Sequence, residues 1–442
     1  MFANILPLER FADICRKVYF AVDDYSQIDF ILANGYLSCI FGEHGIATGS
    51  KVYDEYYLCC RENLHSTLLR LPLLLPPSME TIGALTLGAF NSIENSKATL
   101  AWTFISTAAD FCQRLGYHRV RSSTEADESL RAAQERLFWT VHRLEKGLSL
   151  RFGRASNIRD AEITLPIGPD SPRARRLSRL QGNAHDQLYS PRGLSQPADQ
   201  RKLLAKTLAE ELRGLINETH VEISNVTEQV SREPLRLLYL QCDLVCQSSL
   251  LSLILRATDS GSTSMDGVTE EYVEVARETL DMHHRCMTAL GNCGSPLMVT
   301  QYMNWAILQI PFVSFSILFT RTIQLLDLIE LARLENFSAS LQPDASSSSS
   351  PESTTHPSRL YKLLCQAARM YITSNIQTPP GTEASTLVQH LPTDVFEGFS
   401  FVNFGEGANG DPAASDPSPY GLSDWYYGNQ QLMQLLDEDM MF

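Results

Sequence analysis

Apolar residues return with the period of a helix along most of this chain. The clearest run is KATLAWTFISTAADFCQRLGYHRV, residues 97–120. Ala101, Ile105, Ala108, Cys112 and Leu115 fall on one face of a 3.6-residue period. Gly116 follows where a left-handed residue ends a helix. A second run, QERLFWTVHRLEKGLSLRFGRASNIRDAEITLP, covers residues 134–166 and repeats the spacing at Leu137, Val141, Leu144 and Leu148. It leaves the helix through Phe152, Gly153 and Arg154 into an extended piece ending at Pro166. The pattern predicts two apolar-faced helices, each closed by a glycine.

The same period predicts helices over 1–45, 51–70, 199–222, 233–257, 268–289 and 360–374, and one long apolar helix over 298–336. Pro72, Pro76 and Pro77 end the second of these, because proline cannot continue a helix, and Ser78 is placed to cap the next. Alternating apolar and polar residues are rare, so strands are expected to be few. The fold class expected is all-α: one large multi-helix domain over 1–375, then a flexible tail over 376–442. Within the domain, residues 167–198 read as a basic, Pro/Ser-rich surface loop around RARRLSR, and 340–358 as a Ser-rich disordered insert.

The two central runs also carry a resemblance. They resemble the middle homology region of fungal-specific transcription factors, the regulatory domain found downstream of a zinc binuclear cluster. The residues that carry it stand in three blocks. The first is Leu115, Gly116, Tyr117, His118 and Arg119. The second is Leu137, Phe138 and Trp139, with Glu145 and Lys146 a turn or two later. The third is Ser149, Leu150, Arg151, Gly153, Arg154, Ala155, Ser156, Ile158 and Asp160. Family members often carry Asp before the lysine, where this chain has Glu145. The signature residues carried over as structural are Leu115, Gly116, His118, Arg119, Phe138, Trp139, Lys146, Gly153, Arg154 and Asp160.

Composition narrows what such a body can do. The formal net charge is −15, so the chain as a whole is a poor neutraliser of phosphates. The ten cysteines are scattered, several in apolar helical runs, which suits a reducing compartment. The N-terminal residues lack a basic leader and a long apolar run, so no secretory signal is expected. The most membrane-like stretch, 297–319, is interrupted by Gln301, Asn304, Gln309 and Pro311 and reads as a buried helix.

Candidate chemistry is sparse. Cys242 and Cys246 sit four apart and His283–His284 precede Cys286, but no second tight pair completes a zinc set. Adjacent Cys59 and Cys60 suit two ligands badly. The six-cysteine cluster of the family is not found. No catalytic residue, cofactor or metal site is assigned, because the nucleophile-elbow, phosphate-loop and zinc-protease motifs are all missing. Arg154 could bind an anionic ligand; the plainer reading has it pairing with a carboxylate or carbonyls to lock its turn. Trp102, Trp139 and Trp305 read as core. RARRLSR, residues 173–179, reads as a nuclear localisation signal, a phosphate contact or plain solvated surface.

The C-terminal segment 423–442 interleaves acids with Trp425, Tyr426, Tyr427, Leu432, Leu435, Leu436, Met440 and Phe442 and holds no Lys or Arg. It fits an activation segment, with Trp425, Leu435 and Leu436 as its contacts to a coactivator; the rival is a last helix docking on the body. The resemblance implies a nuclear fungal regulator of a metabolic pathway or gene cluster, reaching DNA only through a zinc cluster outside these residues. Its implied partners are transcription machinery, a second copy or a related regulator, and a small-molecule effector. The alternative is a modulator without any DNA-binding domain that pairs with a full-length regulator.

Overall fold

The computed structural model describes residues 5–20, 23–95, 97–120, 128–166, 172–227, 234–258, 271–292, 296–308, 313–341, 357–377, 422–423, 426–428 and 430. The described residues hold helices and no strand. They sort into two compact units: 1–183 with 217–243 and 290–310, and 184–216 with 244–289 and 311–442.

The first unit is built on six long helices: α1 (Leu8–Phe20), α2 (Gln27–Thr48), α3 (Lys51–Leu68), α4 (Met79–Glu94), α5 (Ala98–Arg114) and α6 (Glu128–Phe152). Ser26 opens α2 with a capping box: its hydroxyl accepts from the Asp29 amide, and Asp29 accepts from the Ser26 amide. Ser78 caps α4 by accepting from the Thr81 amide, as its position predicts. Helix α4 is buried on nearly all sides and forms the centre of the unit. The predicted stripes of α5 and α6 face this core: Ala101, Ile105, Ala108, Cys112, Leu137, Val141, Leu144 and Leu148 are all buried.

Both central helices end in the same way. Gly116 has φ +70° and Gly153 φ +59°, the left-handed region that disfavours any residue with a Cβ. After α5 the Tyr117 amide donates to Cys112 O (2.9 Å) and the Gly116 amide to Gln113 O (3.0 Å). After α6 the Arg154 amide donates to Ser149 O (3.0 Å) and the Gly153 amide to Leu150 O (3.2 Å). These paired bonds are Schellman motifs, which satisfy carbonyls that a helix end leaves open. The two exits then meet: the Thr164 amide donates to His118 O, and the Val120 amide to the Thr164 hydroxyl.

The run expected as a basic loop is instead helical. Helix α7 (Arg173–Ala184) starts at the first arginine, and a π-helical turn (His185–Tyr189) and the short α8 (Pro191–Leu194) follow. Local composition suggested a loop, but the long α9 (Ala198–Thr227) supplies the acids that hold α7 in place. Arg173 pairs with Glu222 (2.7 Å) and Arg176 with Glu218. Arg175 lies over the Trp139 ring, 5.0 Å from its centroid.

Helices α10 (Pro234–Arg256), α11 (Glu271–Asn292) and α12 (Pro296–Tyr302) follow. Residues 236–256 are long and apolar enough to cross a membrane, and 72% of that window is buried inside the protein. The single helix expected over 298–336 is broken. A π-helical turn (Met303–Leu308) follows α12, and then come α13 (Val313–Leu325) and α14 (Leu328–Ser340). Leu326 takes φ +52°, and Asp327 starts α14 afresh by accepting from the Ile329 and Glu330 amides. Apolar periodicity does not register such a stop, because the residues on both sides are apolar.

The core of the second unit is an aromatic knot between α11, α13, α14 and α15 (Pro357–Gln377). Phe315 packs edge-on against Tyr361 (4.7 Å) and Phe337 against Tyr361 (5.5 Å), and His283 meets Phe337 at 4.9 Å. Arg277 of α11 holds Glu330 of α14 through two nitrogens, at 2.5 and 2.6 Å.

Candidate functional site

Two signature residues, Lys146 and Asp160, meet in a largely buried charge cluster between α6, its exit segment and α7. His142 and Lys146 stand one turn apart on α6, so their side chains share a face. Both are buried, at 0% and 1% exposure. Lys146 Nζ donates to Ile158 O (2.7 Å) and to Asp160 Oδ1 (3.0 Å). His142 Nε2 lies 3.2 Å from the same Asp160 oxygen, and its Nδ1 3.1 Å from the Ser178 hydroxyl of α7. Burial holds the imidazole below its ordinary pKa, against the pull of Asp160. The ring is therefore neutral near pH 7, and the acceptor-only carboxylate requires its proton on Nε2.

Asp160 is 30% exposed. Burial raises its pKa, but the His142 hydrogen bond and the Lys146 charge outweigh that and leave it below the usual carboxylate range. Glu145 faces the next stretch of the exit: it accepts from the Ser156 hydroxyl (2.7 Å) and the Asn157 amide (2.6 Å). Burial pushes its pKa up, against those two bonds. Gly182 of α7 leaves room for the lysine stem: a Cβ there would sit 3.1 Å from Lys146 Cδ.

The other signature residues surround this cluster. Phe138 and Trp139 are buried, and Phe138 faces His118 with ring centroids 6.4 Å apart. Leu115 and Gly116 end α5, and Arg119 is exposed just beyond. Arg154 departs from the expected pairing. It is exposed, and its guanidinium lies over Phe152 (5.1 Å) and Trp102 (6.0 Å), with the aromatic faces taking the place of the expected carboxylate. Trp139 and Trp305 are in the core, and Trp102 packs against it.

Sequence reasoning missed His142, Ser178 and Gly182. The one available signal was the four-residue spacing of His142 to Lys146 and of Ser178 to Gly182. It also missed a partly buried pair in the same unit, Arg61 of α3 with Glu94 of α4 at 2.9 Å. Burial raises the Glu94 pKa, and Arg61, Trp305 and Tyr57 oppose that rise.

Chemically, the signature cluster is a fastening. Its imidazole and its amine are buried, and they hold the exit segment through Asp160 and Ile158 O. Cys242, Cys246 and Cys286 are buried single side chains, and among the described residues no three metal-ligating groups converge. Trp425, Leu435 and Leu436 lie outside the described residues. Tyr426 is 1% exposed in the second unit, stacked on Tyr189 with centroids 4.5 Å apart.

A comparison with curated proteins finds no match, nor does one with solved structures. A family model does match: that of the fungal specific transcription factor domain, over residues 61–174. The match opens in α3, spans α4, α5 and α6 and takes in the whole exit segment. Residues 61–174 thus match a fungal specific transcription factor domain.

Proposed function

We propose that this chain is the regulatory and activating part of a fungal transcription regulator that acts in the nucleus on a metabolic pathway or gene cluster. The observation that carries the reading is the transcription factor domain at 61–174. Two features support the view that contact with DNA is made by a zinc cluster outside these residues. The net charge is −15, and Arg173, Arg175 and Arg176 of the basic run are engaged by Glu222, Trp139 and Glu218. The helical body receives the regulatory input, through a small-molecule effector or through pairing with a related regulator. The acid-rich C-terminus contacts the transcription machinery.

The test is a reporter assay in fungal cells with two fusions to an unrelated DNA-binding domain, the whole chain and residues 423–442 alone. Activity above the bare DNA-binding domain is expected from residues 423–442, and loss of it when Trp425, Leu435 and Leu436 are changed together to Ala. Silence of both fusions removes the activating role.

A further inference from the structure

The C-terminal segment is expected to be free if it only recruits a partner, yet part of it is buried. Tyr426 and Tyr189 are each 1% exposed and lie nearly parallel, 26° between ring planes. Tyr189 ends the π-helical turn after α7, and its hydroxyl donates to Leu253 O of α10 at 2.5 Å, which fixes the lower ring. Gly428 and Gln430 are buried beside it, while Tyr427 faces outward. Gln430 is the polar side chain next to the Tyr426 hydroxyl, and neither reaches ordinary hydrogen-bond geometry with a described residue. Among the described residues, the segment is held by ring stacking and burial.

We propose that Tyr189 forms the floor of an intrachain docking site whose occupant is the segment around Tyr426, and that release of this segment controls partner access to the acidic residues that follow it. One feature favours a releasable contact. The segment enters by the Tyr426 ring with Gly428 and Gln430 beside it, and the Tyr426 hydroxyl and Gln430 amide lack ordinary hydrogen-bond geometry, so their burial offsets part of the apolar gain. Asp437, Glu438 and Asp439 follow Tyr426 within thirteen residues of sequence. The control step rests on the activating role proposed above; the docking does not.

The test uses the full chain. Hydrogen exchange of peptides covering 422–430 should rise about tenfold in Tyr426→Ala, as expected when a local docked state is lost. Tyr426→Phe should stay close to the wild type, because the ring supplies the stacking contact. A synthetic peptide of residues 420–442 should bind the full-length Tyr426→Ala chain and not the wild type, whose site is filled. The same peptide carrying Tyr426→Ala should bind neither. Equal exchange in all three chains, or peptide binding that ignores the state of Tyr426, overturns the docking site. In the reporter assay, full-length Tyr426→Ala should exceed the wild type. Unchanged output, while the 423–442 fusion is active, overturns the control step. Silence of both fusions removes the activating role and leaves the docking site standing on exchange and peptide binding.

Discussion

Lys146 and Arg154 are both signature cations, and their surroundings predict opposite mutational costs. Lys146 is buried, and Lys146→Met would take the charged donor from Asp160, leaving it His142, and from Ile158 O, leaving it the Ser156 hydroxyl. Because Asp160 is partly hydrated, the expected loss is about 2–3 kcal/mol, toward the lower end for a broken buried pair. Arg154→Ala removes an exposed guanidinium from two ring faces, for less than about 1 kcal/mol. Denaturant midpoints measured side by side check the contrast, and equal losses would contradict it. His283 of the second unit supplies a pH effect. It is buried against Phe337, with Nε2 3.0 Å from the Ser340 hydroxyl, and its pKa falls from 6.5 to about 3 through burial and the neighbouring His284. Between those values the unfolded chain binds a proton that the folded one refuses. The stability it contributes is complete above pH 6.5 and is lost as the pH falls below that value. From about pH 7.5 to 5.5 the loss is about 1.4 kcal/mol. His283→Gln should remove that increment from the difference between the two pH values, other groups cancelling, as unfolding curves of both proteins will show.

Among the helices, the boundaries hold most of the information. Gly153→Ala forces a Cβ into a left-handed backbone and should cost about 1 kcal/mol. Asp327→Ala strips the cap of α14 and should cost about as much, roughly 1 kcal/mol. Both are read by denaturant unfolding, and a neutral Gly153→Ala would mean that its turn relaxes. Gly116, Gly153 and Ser78 were legible in the sequence because each is a local device whose residue type follows from its backbone geometry. The buried stripes of α5 and α6 were legible because periodicity reports a face. The helix over RARRLSR was not, since the acids that hold it lie in α9, dozens of residues away. The break at Leu326 was not, because leucine gives no sign of a left-handed φ. His142 was hidden in a run that already read as helix, and its role depends on Asp160 and Ser178 arriving from separate segments.

At the scale of the chain, the charge balance opposes tight DNA contact. With a net charge of −15 and Arg173 and Arg176 held in ion pairs, the purified chain should leave a labelled duplex unshifted at micromolar protein and about 0.15 M salt. Sequence-selective retention would reassign the basic run. The all-helical class was legible throughout, because helical period dominates from α1 to α15. The division of the contacts into two units was not, as each unit gathers residues from distant parts of the chain. Helix α7 carries a practical consequence for cutting this protein. The family match stops at residue 174, two residues into that helix. A fragment trimmed to 61–174 would lose Arg175 from the face of Trp139, Ser178 from His142, and the turn that passes over Lys146 at Gly182. It would also lose α2, whose Gly35 lies so close to Leu87 of α4 that a Cβ there would come within 2.8 Å of it. The stretch that similarity recognises is therefore smaller than the piece that can fold, and expression boundaries belong outside both helices.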